Sequence, residues 1–238
     1  MKKAKYFSTG EIALWSCSVL LILASFFVFD RQNYLTLAAS LIGVTSLIFN
    51  AKGNPAGQAL MVVFSLLYGY ISFNFAYYGE MLTYVLMTMP MAIVALVAWL
   101  KHPFDGNKAQ VAVNRLKKSE QIFMWILTVI VTAVFYFVLD AFDTKNIIPS
   151  TVSVTTSFVA VYLTFRRSPF YAIGYAANDV VLIVLWTLAA TENLSYVSVI
   201  VCFVAFLAND IYGFVSWRKM EQRQRSVASE DQSERPSR

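Results

Sequence analysis

YAANDVVLIVLW, from Tyr175 to Trp186, and FLANDIYGFVSW, from Phe206 to Trp217, each hold an Asn-Asp pair inside an apolar run, with a Trp seven residues after the Asp. Asn178 and Asp179 form the first pair, Asn209 and Asp210 the second. The residues around them are those of a bilayer span, where an Asp at the centre costs roughly 2.5–3.5 kcal/mol on insertion scales. Two such placements need a reason. Either the pairs bond to each other across adjacent helices and hold them together, or they line a polar path for a substrate, and the second reading is preferred.

The rest of the 238-residue chain fits that setting. It is 58% hydrophobic, 16% aromatic and only 14% charged, against about a quarter charged in a soluble domain. An all-α integral membrane protein is expected. Eight spans of mostly apolar residues can be drawn, at 12–29, 35–50, 56–77, 81–100, 120–140, 147–165, 169–190 and 194–217. Lys2, Lys3 and Lys5 precede the first run without a small-residue cleavage pattern after it, so a retained span is expected.

Basic residues orient the spans. With the N-terminus inside, 17 of the 19 Lys and Arg fall on the cytoplasmic side and only Arg31 and Lys145 outside, as the positive-inside rule requires. Both termini are then cytoplasmic. Nucleic acid is not the partner this charge implies. Trp99 and Trp217, beside Lys101 and Lys219, read as interface anchors. Pro55 and Pro169 read as first-turn residues of their helices. The tail from Lys219, rich in Arg, Ser, Gln and Glu, reads as disordered.

The spans at 35–100 and 147–217 form two similar triplets. Each turns inside at a basic loop followed by Pro, turns outside at an acidic residue (Glu80, Glu192), and ends inside at a Trp next to Lys or Arg. A shift of 118 places Trp99 on Trp217 and Tyr68 on Trp186. One linker span between odd triplets makes the repeats parallel, the 3+1+3 plan of SWEET-like transporters with a site near midplane between the halves. The organisation expected is an extra N-terminal helix (1–30), a first three-helix repeat (31–100), a basic loop (101–119), a linker helix (120–140), a second repeat (141–217) and a tail (218–238).

On these helices Asp179 lies near midplane and Asp210 about one turn nearer the cytoplasm. Trp186, about 9 Å outward of midplane, is placed to stack on a flat ring or to pack in the core; both remain open. Tyr84 and Thr88 share a helix face and could supply the opposite wall, with Tyr68 as the repeat partner of Trp186. Pro90 is expected to kink its helix. The two cysteines and one histidine offer no nucleophile–base pair and no metal set, so no catalytic residue, metal or cofactor is expected, and an enzyme or non-transporting receptor is the rival class.

Three stretches, YYGEM (77–81), FRRSPF (165–170) and NDIYGFVSWRK (209–219), carry a resemblance to the PnuC family of bacterial vitamin transporters, covering about residues 30–220. The resemblance implies a SWEET-like pore, a nucleoside-like small-molecule substrate such as nicotinamide riboside, and facilitated diffusion drawn inward by phosphorylation in the cell. It also implies that Asn178, Trp186 and Asn209 lie on pocket-lining helices. Tyr84 stands where relatives commonly have an amide, and no two tryptophans are three apart. Deoxynucleosides and thiamine therefore stay open as substrates, as do proton coupling through Asp179 and Asp210 and assembly into a homo-oligomer.

Overall fold

The computed structural model describes residues 6–75 and 77–233, among which eight helical segments are long and apolar enough to cross a membrane. They are α1 (Thr9–Phe29), α2 (Tyr34–Ala51), α3 (Pro55–Asn74), a composite fourth span, α6 (Lys118–Ala141), α7 (Ile147–Phe165), α8 (Tyr171–Ala190) and α9 (Val197–Ser233). The fourth span joins α4 (Tyr78–Leu82) to α5 (Met89–Lys101) through a π-helical segment, Thr83–Thr88. Pro90 explains that interruption. It has no N–H for the carbonyl four residues back, and its ring crowds the same carbonyl, so the helix widens just ahead of it. Except at the C-terminal end of α9, each expected span edge falls within three residues of the observed one.

Local chemistry sets the helix starts. Ser8 and Glu11 form a reciprocal capping box at α1, and Asn54 accepts from the Ala56 N–H with Pro55 opening α3. Pro169 does not open α8. The turn is closed by Arg167 in a left-handed conformation (φ 57°), and Phe170 caps the helix, leaving Pro169 ahead of it.

The helices pack as two equivalent triplets, α2–α3–α4/α5 and α7–α8–α9. The first helix of each packs on the last of the other, α2 on α9 and α7 on α5. Gly174 lets α8 approach α7 closely, since a Cβ there would lie 2.9 Å from Ala160 Cα. Outside this core, α1 packs on α2 and α9, and α6 leans on α7. Ile122, Phe123, Trp125, Val129 and Phe137 leave α6 with an exposed apolar face, which in this composition is a lipid-facing surface rather than a docking patch.

Trp99 and Trp217 are not interface anchors. Both are at most 1% exposed and their rings meet each other, centroids 5.4 Å apart. Trp99 Nε1 donates to the Thr164 carbonyl of α7 (3.0 Å), and Trp217 Nε1 to the Asn50 carbonyl of α2 (2.7 Å). Each carbonyl, at the end of the opposite repeat's first helix, also accepts a backbone N–H of the turn that follows, Arg167 on Thr164 and Gly53 on Asn50, so the indole adds a second hydrogen bond that ties the repeats together. The C-terminal ends of both repeats thus meet at one end of the bundle, which makes the repeats parallel.

The tail expected to be disordered continues α9 as helix through Ser233; residues 234–238, like Lys2, Lys3 and Lys5, lie outside the described residues. Three of its charges, on Arg218, Glu221 and Arg225, take part in ion pairs, which is what composition alone missed. Glu221 binds Arg218 (2.7 Å), Arg225 (3.0 Å) and Arg115. The basic loop folds as a hairpin, β1 (Pro103–Phe104) and β2 (Asn107–Val111), turning at Asp105-Gly106 with both φ positive. Gln224 brackets its end, donating to the Val111 carbonyl and accepting from the Val113 N–H. Val111 N–H and Asn114 N–H in turn donate to the Gly53 and Arg167 carbonyls, the corresponding turns of the two repeats. Loop and tail form a clasp across the basic end.

Replacing Trp99 or Trp217 by Phe keeps an aromatic ring but removes the indole hydrogen bond between the repeats, at about 1 kcal/mol, together with part of the buried ring. Each variant is expected to melt several degrees lower in detergent, while lipid-facing Trp125→Phe melts as the parent does. Unchanged melting of both buried variants would remove the role of these indole hydrogen bonds in stability.

Candidate functional site

The axis relating the repeats can be located from residues that meet their own equivalents. Trp99 and Trp217 do so at the basic end. Tyr68 and Trp186, the other pair related by the shift of 118, do so deeper in the bundle, where Trp186 Nε1 donates to the Tyr68 hydroxyl (2.7 Å). A two-fold axis passes between each such pair, so any central path runs from one to the other.

Between them lies a cavity of about 20 Å³. Its polar wall is Tyr84 and Thr88 from the π-helical segment, Ser157 from α7, Asn178 and Asp179 from α8, and Asp210 from α9. This volume holds about one water, whereas ligand pockets run to several hundred Å³. Phe64 also lines a smaller void of about 10 Å³ beside Ser40 and Cys202. The bundle is closed above the cavity as well as below. Trp186, fully buried, packs among Tyr77 (4.9 Å between centroids), Tyr196 (5.5 Å) and Phe75 (6.1 Å). Tyr68 lies 4.4 Å from the Tyr84 ring.

The Asn-Asp pairs divide. Asp179 and Asp210 line the same cavity and their carboxyl groups interact. Asn178 also lines it, but its Oδ1 accepts from three hydroxyls of α7, those of Ser153 (3.2 Å), Thr156 (2.9 Å) and Ser157 (3.0 Å). Asn209 lies off the cavity, contrary to the expectation that both pairs face the path. Its amide donates to Ser18 on α1 (2.9 Å) and to the Ala205 carbonyl (2.8 Å). Helical phase is the reason. Successive residues point about 100° apart, so an Asp facing the axis turns the preceding Asn toward a neighbouring helix. One pair serves as wall and brace, the other as wall and anchor for α1.

Glu80 escaped the sequence reading, which placed it in an outer turn. It is 1% exposed on α4, and neither carboxylate oxygen has a hydrogen-bond partner. The Ser153 hydroxyl of α7 and the Tyr68 and Tyr84 rings are near enough to interact with it electrostatically. The signal was present: Glu80, Tyr84 and Thr88 are spaced four apart. Among the described residues no group of three metal-type ligands occurs.

Eight spans, two parallel triplets and a closed central chamber with polar walls are the construction of a multi-pass membrane transporter, not of an enzyme. A family model described as "Nicotinamide mononucleotide transporter" matches residues 33–219, and the chain belongs to that family. Among curated relatives it is 28% identical over 217 residues to the nicotinamide riboside transporter PnuC of Neisseria mucosa, covering 89% of this chain and 82% of that one. With the nicotinamide riboside transporter PnuC of Haemophilus influenzae it shares 20% over 204 residues, 83% and 84% of the two chains. A crystal structure titled as the vitamin B3 transporter PnuC has the same fold, with a TM-score of 0.79 at 23% identity over 92% of this chain and 94% of that one. The family match begins after α1, in keeping with a helix added outside the repeats.

The two asparagines are separable by experiment. Asn178→Ala leaves three hydroxyls without their shared acceptor and removes part of the cavity wall, so both melting temperature and uptake should fall. Asn209→Ala should lower melting temperature alone, with substrate affinity within about twofold of the parent. A tenfold loss of affinity in Asn209→Ala would return that residue to the substrate path.

Proposed function

We propose that this protein carries a nucleoside-like vitamin into bacterial cells across the inner membrane, with nicotinamide riboside, the ligand named for its relatives, as substrate. The observation that carries this reading is the cavity on the repeat axis, closed at one end by Trp99 and Trp217 and at the other by Trp186 and its aromatic neighbours. Closure at both ends fits an occluded step of alternating access, in which one repeat rocks against the other about a fixed site. Tyr84, backed by Tyr68, supplies a face for a flat ring, and Trp186 belongs to the aromatic closure beyond it rather than to the cavity lining. Thr88, Ser157, Asn178, Asp179 and Asp210 supply donors and acceptors for sugar hydroxyls. The end of the bundle carrying the clasp gathers Lys52, Lys101, Arg115, Arg166 and Arg218, which supports assigning it, and both termini, to the cytoplasm. Transport is facilitated diffusion, with net uptake drawn by phosphorylation inside.

Radiolabelled nicotinamide riboside should enter proteoliposomes until inside and outside concentrations match, and accumulate beyond that only when a kinase and ATP are enclosed. Competition by unlabelled thiamine and deoxynucleosides ranks the alternatives. Binding without flux would make the protein a receptor, and accumulation driven by an imposed proton gradient alone would replace facilitated diffusion with proton coupling.

A further inference from the structure

Six acidic side chains are buried among the described residues: Glu11, Asp30, Glu80, Asp179, Asp210 and Glu221. Three have partners that account for them. Glu11 pairs with Lys52 and accepts from Tyr212, Glu221 binds three arginines, and Asp30 takes the Asn33 amide and the Ser198 hydroxyl. Glu80, Asp179 and Asp210 have no basic partner among the described residues, and all three lie between the repeats. Both Glu80 oxygens and Asp179 Oδ2 lack any hydrogen-bond partner. The hydroxyl of Thr88, 2% exposed and on the wall of the same cavity, lacks one too.

A lone carboxylate taken out of water costs several kcal/mol unless an opposite charge meets it. One carboxylate would suffice to accept from a sugar hydroxyl; three carboxyl groups without a basic partner, two of them in contact so that they share a proton while no cation is present, are placed to ionise against a cation that enters. Around it stand ring faces, Tyr84 and Phe64 on the cavity and Tyr68 against both, and an aromatic face also attracts cations. Carboxylates and ring faces together match a flat ring that itself carries positive charge.

We propose that Glu80, Asp179 and Asp210 select for a substrate whose heteroaromatic ring bears a permanent positive charge, an N-substituted pyridinium or thiazolium, and discriminate against neutral nucleosides of the same size. The inference rests on the central cavity being the transport site, as proposed above. The cationic ring lies against Tyr84 and Tyr68 with its charge toward Asp179 and Glu80. Thr88 and Ser157 are left to the uncharged part of the ligand. Selection falls on ring charge before base identity, so two vitamins with unrelated rings can share the site.

The test uses the purified full-length chain and binding calorimetry. Nicotinamide riboside, its 1,4-dihydro form (same sugar, neutral ring), thiamine and a neutral deoxynucleoside are the four probes. The expected result is that at least one cation binds, and that nicotinamide riboside binds roughly ten- to a hundredfold tighter than its dihydro form, the scale of one charge-assisted contact. Asp179→Asn and Glu80→Gln, both near-isosteric, should each shrink that ratio by roughly tenfold. Should either variant fail to fold, the wild-type ratio still decides. Equal binding of the charged and neutral ribosides overturns the proposal, as does binding of the deoxynucleoside with no binding of either cation. Thiamine bound without nicotinamide riboside supports charge selection while overturning the substrate named above. The deoxynucleoside bound alone does the reverse, leaving a nucleoside transporter without charge selection.

Discussion

A polar group buried in a bilayer must find its partner within the chain, because lipid offers none. Most of this molecule obeys that constraint in small local ways. Ser40, Ser65, Thr128 and Thr164 return their hydroxyls to a carbonyl one turn back. Where the constraint acts between helices, it builds the architecture. The buried Trp99 and Trp217 indole N–H groups find their acceptors at helix-end carbonyls of the opposite repeat, and the Asn178 carbonyl gathers three hydroxyls of α7. Against that background, buried atoms of Glu80, Thr88 and Asp179 lie between the repeats without a partner, alongside single atoms of Ser72, Thr144 and Asn209. The cost of leaving them unpaired is the physical argument that this region meets something other than the rest of the chain.

The repeats are symmetric in packing and asymmetric in chemistry. By the shift of 118, Asp179 corresponds to Met61 and Asp210 to Ala92, so the carboxylates of the second repeat face apolar positions of the first. Glu80 restores charge to the first repeat, but on a different turn, and its equivalent is Ser198. A symmetric frame can therefore rock about its axis while presenting an asymmetric site, which is what binding one orientation of an asymmetric ligand requires.

Much of the fold was legible because its causes act on long windows. Spans follow from runs of about 20 apolar residues, and the gathering of basic residues at one end of the bundle follows from the same arithmetic. What was misread depends on shorter-range facts. Asn209 was assigned to the path because it adjoins Asp210, yet a step of one residue turns the side chain toward Ser18 on α1. Trp99 and Trp217 carry the composition of interface anchors, and only their partners reveal them as buried. The tail is charged enough to read as disordered, but Glu221 and Gln224 answer charges and backbone groups more than a hundred residues away in sequence. Glu80 adjoins a loop, so its membership of the buried face went unseen although Tyr84 and Thr88 continue it.

The π-helical segment links fold to site. Tyr84 and Thr88, four apart, would share a face in a regular helix as well; in this structure both lie within the wider turn ahead of Pro90 and line the cavity wall. Such widened turns recur where side chains must be re-aimed at a site. At the end of this segment Pro90 withholds a backbone donor. It sits opposite the acidic pair and between the two closures, with Tyr84 against Tyr68 on one side and α5 leading to Trp99 on the other. A change in its winding would move the cavity wall and the Trp99 end of the bundle together, so one element is placed to couple enlargement of the site to opening of an end.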